Sequence, residues 1–393
     1  MNTIRLGEIL EQFTEKPGED EELEVLTLTE RNGFVAQRER FNKRLATEDI
    51  SGYKVVRPGD IAFNPYLLWA GAIAQNRDWQ AGVISPLYPT FRVRKRFDSN
   101  FVIRLLLAPE MIHTYDGIAF GSVPRRRRTS VNDFLGLEIP APPSLDEQRR
   151  IAAILDYADA LRAKRREALA RLDELTQSIF IDMFGDATTI HTNWPKTALN
   201  DILLAIESGR SPTCHARPAN DDEYGVLKLG AVTYGRFDPS QNKALPEEVE
   251  PDVRHEVKTG DLLFTRKNTA DLVGAAALVR KTRAKLLLPD LIFRLRIDPA
   301  SKMNSAYLQA VLMYPPIRRT VQGLAGGSAG SMPNISKAKL LTVEVPHPPA
   351  DQQLGYERRI EEIDRLRSVH QSALAALDDL FASLQSRAFR GEL

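Results

Sequence analysis

The sequence repeats itself at a separation of just over 200 residues, and this duplication constrains the fold more than any other feature. Matching positions are Leu172 with Leu377, Val56–Ile61 with Val257–Leu262, and Phe91–Arg94 with Phe293–Arg296, at separations of 205, 201 and 202 residues. The drift in separation indicates a few inserted residues, as loops permit. The chain therefore predicts one unit that occurs twice, a globular block of roughly 140 residues followed by a helix of about 40.

Each copy ends in a segment with the pattern of a coiled coil. The first segment, from Leu145 to Met183, contains neither proline nor glycine, and its apolar residues follow at alternating steps of four and three. Arg165 and His370 interrupt the two patterns at equivalent positions. At ~1.5 Å per residue each helix would be ~55–60 Å long. Two such helices can pair and hold two globular blocks apart, although each helix packing on its own domain stays an alternative. The predicted seam consists of Ile154, Leu161, Leu172, Leu175, Ile179, Ile363, Leu366, Leu377, Leu380 and Leu384.

The composition is that of a globular protein, with 43% hydrophobic and 27% charged residues. No apolar run reaches the ~18–20 residues that span a membrane, and the N-terminus lacks the pattern of a signal peptide. We therefore expect a cytoplasmic protein with no membrane partner. The single cysteine, Cys214, cannot form an internal disulfide, and no zinc-binding spacing is present. We expect this chain to bind neither a metal nor a cofactor.

The net charge of +1 is low for a DNA-binding protein, but basic residues cluster locally, and the local field matters more than the total. The run Arg125, Arg126, Arg127 and Arg128 is the strongest candidate for DNA contact, because arginine pairs with phosphate and bridges guanine O6 and N7. A solvated surface run is the alternative reading. Arg92, Arg94, Lys95 and Arg96 form a second basic stretch.

Several loop residues join these arginines as candidates for DNA contact. In the second copy Arg266 and Lys267 offer phosphate chemistry, and Asn268 could read adenine. Tyr66 and Trp69 occupy the corresponding loop of the first copy, where they either face DNA or cap the core. The remaining candidates are Tyr234, Arg236, Ser328, Ser331 and Asn334.

No segment carries a complete catalytic motif, so we predict no catalytic residue. Asn64-Pro65-Tyr66 resembles part of the motif of amino methyltransferases, but one proline is missing and the second copy has Thr265-Arg266-Lys267 instead. Pro289-Asp290 is followed by no second carboxylate of a nuclease cluster. The glycine-rich Gly326–Gly330 lacks the ending of a phosphate-binding loop.

Taken together, these segments resemble the specificity subunit of type I restriction-modification systems, over essentially the whole chain. The resemblance is carried by Pro140–Gln148 leading into Ile151–Leu155, by Leu172–Leu175, by Pro333–Ser336 and Val343–Pro349, and by the turns at Gly59 and Gly260. It implies an α+β fold with a pseudo-twofold internal repeat, in which two similar α/β target-recognition domains are separated by two long helices forming an antiparallel coiled coil. The expected domains are 1–143 and 187–349, and the expected spacer helices are 144–186 and 350–393.

The same resemblance implies a function without catalysis in this chain. Each recognition domain would read one half of a bipartite site in double-stranded DNA, and the helices would set the distance between the halves. Two modification subunits would dock on the helices and supply adenine methylation with S-adenosylmethionine, and restriction subunits would add ATP-driven translocation and cleavage. The alternatives are a stand-alone DNA-modifying enzyme, which needs a cofactor or metal site, and a coiled-coil scaffold, which leaves the basic loops unexplained.

Overall fold

The computed structural model describes residues 2–18, 23–30, 32–40, 50–121, 127–186, 189–326 and 332–393. Contacts divide the chain into unit 1, Met1–Glu167 with His370–Leu393, and unit 2, Ala168–Val369. Each unit combines one globular block with part of each long helix. The predicted domain bounds instead kept both helices whole, so the compact units cut across them.

The described part of unit 1 contains ten short strands. They are β1 (Thr3–Arg5), β2 (Leu10–Phe13), β3 (Glu24–Thr29), β4 (Gly33–Ala36), β5 (Lys54–Val56), β6 (Ile61–Phe63), β7 (Ile73–Gln75), β8 (Gly82–Ile84), β9 (Thr90–Val93) and β10 (Glu138–Pro140). Its helices are α1 (Leu6–Ile9), α2 (Gln37–Arg40), α3 (Ser99–Leu106), α4 (Pro109–Gly117), α5 (Val131–Leu135) and the first part of α6 (Leu145–Phe184). The sheets have the orders β2-β9-β6-β7, β4-β3-β8-β5 and β1-β10.

Unit 2 repeats this plan. Its strands are β11 (Lys196–Ala198), β12 (Leu203–Ser208), β13 (Gly225–Leu227), β14 (Asn242–Ala244), β15 (Leu262–Thr265), β16 (Ala276–Leu278), β17 (Leu286–Leu287), β18 (Ile292–Ile297) and β19 (Glu344–Pro346). Its helices are α7 (Ile190–Asn193), α8 (Leu199–Ile202), α9 (Ser305–Met313), α10 (Pro315–Gly323), α11 (Lys337–Leu341) and the first part of α12 (Ala350–Phe389). The sheets β12-β18-β15-β16, β14-β13-β17 and β11-β19 correspond to those of unit 1. In both units the second sheet holds one parallel pair, β3 with β8 and β13 with β17. The predicted internal repeat is therefore a repeat of topology.

Aromatic rings fill the core of each unit. In unit 1 the ring of Phe134 lies 4.7 Å from that of Phe63 and 5.5 Å from that of Phe91, centroid to centroid. In unit 2 Phe184, at the end of α6, lies 4.7 Å from Tyr307. Burying a side chain of this size contributes roughly 1.5–3 kcal/mol. The end of the long helix α6 is thus part of the core of unit 2.

A matching turn and ion pair brace the main sheet of each unit. Gly59 and Gly260 adopt φ values of +90° and +93°, which residues with a Cβ rarely adopt. The aspartate after each glycine accepts a backbone hydrogen bond, Asp60 from Arg57 at 2.8 Å and Asp261 from Lys258 at 2.9 Å. We call the ion pairs Asp60–Arg92 and Asp261–Arg294, 3.2 and 3.1 Å long, the Asp–Arg frame. The two repeated sequence motifs therefore meet in space.

The two long helices pair in antiparallel fashion within each unit. In unit 1 Arg162 of α6 contacts Asp378 of α12, whereas Arg165, further along α6, contacts His370, earlier in α12. In unit 2 Arg367 contacts Asp173, and the ring of Tyr356 lies 5.8 Å from that of Phe180. Each helix has 40 residues. No helix in the described segments has the combination of length and apolar character that a membrane span requires.

Of the ten predicted seam residues, seven are buried or half-buried and three are exposed. Leu172 and Ile179 of α6 and Ile363, Leu377 and Leu384 of α12 are buried or half-buried. Ile154 and Leu161 are also half-buried. Leu175, Leu366 and Leu380 are instead 45%, 46% and 48% exposed, which corrects their assignment to the seam. The next residue in each case, Thr176, Arg367 and Phe381, takes the inward position. Arginine can do so because its apolar stem packs while its guanidinium finds carboxylates.

Candidate nucleic-acid interface

In unit 1 the structure brings four predicted residues together. Strand β6 leads into the loop of Tyr66 and Trp69, and the segment around Arg127 and Arg128 lies against that loop, since Thr129 donates from its backbone N–H to the carbonyl of Pro65 at 2.9 Å. The Arg127 guanidinium lies 5.4 Å from the Trp69 ring, and that of Arg128 lies 5.8 Å from the Tyr66 ring. The indole N–H of Trp69 donates to the carbonyl of Tyr66 at 2.8 Å.

Phe120 joins this cluster and was missed from the sequence. Its backbone exchanges two hydrogen bonds with Arg128, at 2.8 and 3.0 Å, and its ring is 67% exposed. Tyr66 is 38% exposed. We call Tyr66, Trp69, Phe120, Arg127 and Arg128 the aromatic–arginine surface. Exposed rings beside guanidinium groups suit phosphates, base edges and the apolar methyl group of thymine.

The corresponding place in unit 2 is polar. Ile335 donates from its backbone N–H to the carbonyl of Arg266 at 2.8 Å, and Asn334 exchanges two backbone bonds with Gly326, at 2.9 and 3.0 Å. The Arg266 Nε donates to the Asn334 side-chain oxygen at 3.0 Å. Lys337 lies nearby, with its Nζ 5.7 Å from the Phe293 ring over which Arg266 also stacks. We call Arg266, Lys267, Asn334 and Lys337 the lysine–asparagine surface.

The same two chain segments therefore meet in both units, by the same backbone bonds. Phe120 corresponds to Gly326 and Arg128 to Asn334, each pair 206 residues apart. The frame is shared, but the side chains it presents differ. One backbone arrangement that presents different side chains in the two units is suited to binding two related but different ligands.

Asn268 does not present its amide to solvent. It is 6% exposed, its oxygen accepts from the N–H of Thr269 at 2.9 Å, and its Nδ2 donates to the Thr233 hydroxyl at 3.1 Å. The residue holds two loops together. We therefore leave it out of the lysine–asparagine surface.

Tyr234 and Arg236, on the loop that Asn268 braces, differ from each other. Tyr234 is 78% exposed, so its ring is available to a ligand. Arg236 forms an ion pair with Asp173 of α6 and so serves the long helix. The remaining candidates, Arg125, Arg126, Ser328 and Ser331, lie outside the described residues.

Two arginines of the basic stretch that begins in β9 are used inside the protein. Arg92 contacts Glu15 at 2.6 Å as well as Asp60, and Arg94 contacts Glu11 at 3.5 Å. Burial raises the pKa of Asp60 above its usual range, although the backbone of Arg57 and the charge of Arg92 oppose the shift. These arginines brace the sheet, whereas Arg127, although paired with Asp116, lies at the aromatic–arginine surface.

The described residues contain no group of three or more histidine, cysteine, aspartate or glutamate side chains placed to hold a metal ion. Asn64, the first residue of the methyltransferase-like motif, is 9% exposed and accepts the backbone N–H of Tyr66 at 3.0 Å. It therefore shapes the turn that carries Tyr66.

The fold is that of the specificity (S) subunits of type I restriction-modification systems. The chain superimposes on the S subunit of M. genitalium with a TM-score of 0.63 and 12% identity, over 99% of this chain and 96% of that one. A second similar chain comes from a structure of type I complex assembly and conformational transition, with a TM-score of 0.53 and 17% identity over 100% and 98% of the two chains. No family model matches the sequence.

Sequence comparison points to the same class. The chain is 32% identical to the EcoEI specificity subunit of Escherichia coli over 185 residues, 46% of this chain and 31% of that one. It is 27% identical to the EcoKI specificity subunit of E. coli K12 over 277 residues, 65% and 58% of the two chains. The matches thus span between about a third and three fifths of these relatives. The resemblance predicted from the sequence motifs is confirmed.

Proposed function

We propose that this chain is the DNA-sequence-specificity subunit of a type I restriction-modification enzyme. Each unit reads one half of a bipartite site in double-stranded DNA, through the aromatic–arginine surface in unit 1 and the lysine–asparagine surface in unit 2. The observation that carries the proposal is the duplicated surface, built twice by the same backbone bonds and furnished with different side chains. The specificity-subunit names of the similar proteins support it.

In this proposal the long helices set the distance between the half-sites and dock two modification subunits. The exposed leucines Leu175, Leu366 and Leu380 support docking, because large apolar side chains on a helix pair are suited to a protein partner. S-adenosylmethionine is bound by the modification subunits, and this chain performs no catalysis itself. Where restriction subunits are present, they join the same assembly.

Methylome sequencing of the host, with and without this gene, tests the function. We expect a two-part methylated motif with a fixed spacer in the parent strain, and its loss in the deletion strain. Complementation with a chain carrying Arg128→Ala and Tyr66→Ala should alter one half of the motif only. A motif that survives deletion of the gene would contradict the proposal.

Purified protein separates this proposal from a stand-alone enzyme. The chain alone should bind DNA weakly and with strong salt dependence, and become specific when modification subunits are added. It should show no thermal shift with S-adenosylmethionine or magnesium. Methylation of DNA by the isolated chain would contradict the proposal and favour a stand-alone DNA-modifying enzyme.

A further inference from the structure

An ion-pair relay crosses between the two long helices in unit 1. Arg162 of α6 bonds to Asp159, one turn earlier on the same helix, at 2.9 Å. The same guanidinium reaches across to Asp378 of α12 at 2.6 Å. Arg104 of the globular block joins the relay through Asp159 at 3.0 Å. The relay therefore runs from the globular block through α6 to α12.

Unit 2 contains the same relay with the helices exchanged. Arg367 of α12 bonds to Asp364 on the same helix at 2.6 Å and reaches across to Asp173 of α6 at 2.9 Å. Arg280 of the globular block joins through Asp364 at 2.6 Å. Arg236, on the loop of Tyr234, adds a second link through Asp173.

The two relays are related by the sequence repeat. Asp159, Arg162 and Asp173 lie 205 residues before Asp364, Arg367 and Asp378 respectively. The pattern Asp-x-x-Arg followed by a distant aspartate is therefore present twice, and this spacing was the signal that could have revealed it. The same charged set is present twice along the helix pair, once in each unit. This repetition points to a role that apolar seam residues do not supply.

Stability is a weak explanation for these ion pairs, because Asp378 and Asp173, the carboxylates across the helix pair, are 42% and 53% exposed, and pairs with a solvent-exposed partner contribute about 0–1 kcal/mol. The side chains of Arg162 and Arg367 are only 19% and 7% exposed. Among the described residues the Arg367 Nε is buried and has no hydrogen-bond partner. Replacing buried ion pairs by apolar residues is often neutral or stabilising. Polar groups in a helical seam instead specify register, because a slipped alignment separates each charge from its partner.

We propose that the two relays lock the register of the helix pair, and that Arg162 and Arg367 are positioning residues for the spacing between half-sites. This inference rests on the proposed function. Slippage of the seam by one heptad would move one helix by about 10 Å, which corresponds to about three base pairs of DNA at ~3.4 Å each. A seam that is merely loosened would tolerate changes of one base pair, which also rotates a half-site by roughly 35°.

The test uses the double variant Arg162→Met, Arg367→Met in the complete complex with modification subunits. Binding is measured on DNA duplexes that carry the native half-sites with the spacer changed by one or two base pairs. We expect discrimination against the wrong spacers to fall by roughly tenfold, since coupling in such networks is worth about 0.5–3 kcal/mol and ~1.4 kcal/mol is tenfold. The preferred half-site sequences should not change.

Arg365→Met is the matched control. Arg365 lies on α12 close to Arg367, but it pairs with Glu362 one turn away on the same helix, at 70% exposure, and does not cross the pair. Its removal should leave spacer discrimination at the parent level. Thermal unfolding of all variants separates loss of register from loss of folding.

A lysine version, Arg162→Lys with Arg367→Lys, keeps the charges without the two-pronged guanidinium. It should restore part of the discrimination between spacer lengths. If the methionine variant does not fold, the lysine variant is compared with the parent complex instead. Folded variants that keep the parent spacer preference would overturn the register lock while leaving the proposed function intact. A parent complex without any two-part specificity would overturn both.

Discussion

The two units share a backbone plan and differ in what they expose on it. Unit 1 presents aromatic rings and arginines at the junction of its two loops, and unit 2 presents lysine and asparagine at the same junction. The backbone bonds that join the loops are the same in both, from Thr129 to Pro65 and from Ile335 to Arg266. The comparison teaches that backbone bonds position the surface while its chemistry varies independently.

The Asp–Arg frame below these surfaces differs in burial. The Arg294 side chain is 6% exposed and bonds to Glu207, Asp261 and two backbone carbonyls. The Arg92 side chain is 51% exposed. Burial alone would lower the pKa of Arg294, but its two carboxylates raise it overall. The two frames therefore differ in the burial of the arginine and in the number of its partners, whereas the aspartate is buried in both, at 6% exposure for Asp60 and 12% for Asp261.

The largest expected effect follows from this difference. Arg294→Met should lower the free energy of unfolding by about 3–5 kcal/mol, because it leaves Asp261, which is 12% exposed, without its cation and two backbone carbonyls without their donor. Arg92→Met should cost about 1 kcal/mol, since Arg92 is half-exposed and Asp60, whose pKa is already raised by burial, keeps its hydrogen bond from the backbone of Arg57. Urea unfolding of the two variants measures both values. Equal losses would break the comparison between the two frames.

A smaller effect concerns the surfaces themselves. Arg128→Ala should reduce the slope of log affinity against log salt concentration by about 0.9, the value for one phosphate contact. Asn334→Ala, at the equivalent position, removes no charge and should leave the slope unchanged while altering half-site preference. DNA binding by the complex between 50 and 200 mM salt, about the range where such slopes are measured, tests both.

Arg5→Ala serves as the control for charge, because Arg5 is 69% exposed and forms an ion pair with Glu138 on the β1–β10 ribbon. It should leave the salt slope as it is in the parent chain. A drop in slope for Arg5→Ala equal to that for Arg128→Ala would show that general charge, and not the aromatic–arginine surface, governs binding.

The sequence predicted the repeat and the long helices well, because both depend on local pattern. The first helix was expected from Leu145 to Met183 and runs from Leu145 to Phe184. From the sequence, Tyr66 and Arg128 could be proposed only as members of two separate loops. Their contact depends on the hydrogen bond from Thr129 to Pro65, which joins residues 64 positions apart. Tertiary contacts of this kind leave no periodic signal.

The errors share one cause, which is that residue type was taken as a guide to exposure. Leu366 was placed in the seam because it is apolar, yet Arg367 occupies the inward position, where carboxylates from both helices meet its charge. Asn268 was predicted to read adenine because its side chain is an amide, yet that amide is already hydrogen-bonded to Thr233 and Thr269. Such choices depend on partners that lie far away in the chain.

The smallest expected effect is a difference in acid response between Asp60 of unit 1 and Asp173 of unit 2. Burial would raise the pKa of Asp173, but Arg236 and Arg367 lower it overall. Its contribution to stability is therefore present above the unfolded-state pKa and is lost as the pH falls through the lower folded value. Asp60 has a raised pKa, so its contribution is present at low pH and is lost as the pH rises through the folded value.

Unfolding measured from about pH 3 to pH 6, on either side of the ~3.9 of an unperturbed aspartate, separates the two groups. Asp173→Asn should lose less stability than the parent chain as the pH is lowered, because the group that must be protonated is gone. Asp60→Asn should show the reverse, a steeper loss on acidification than the parent chain. The same pH dependence in both variants would mean that the two carboxylates have similar environments, and that the contrast between the frame of unit 1 and the relay of unit 2 is not electrostatic.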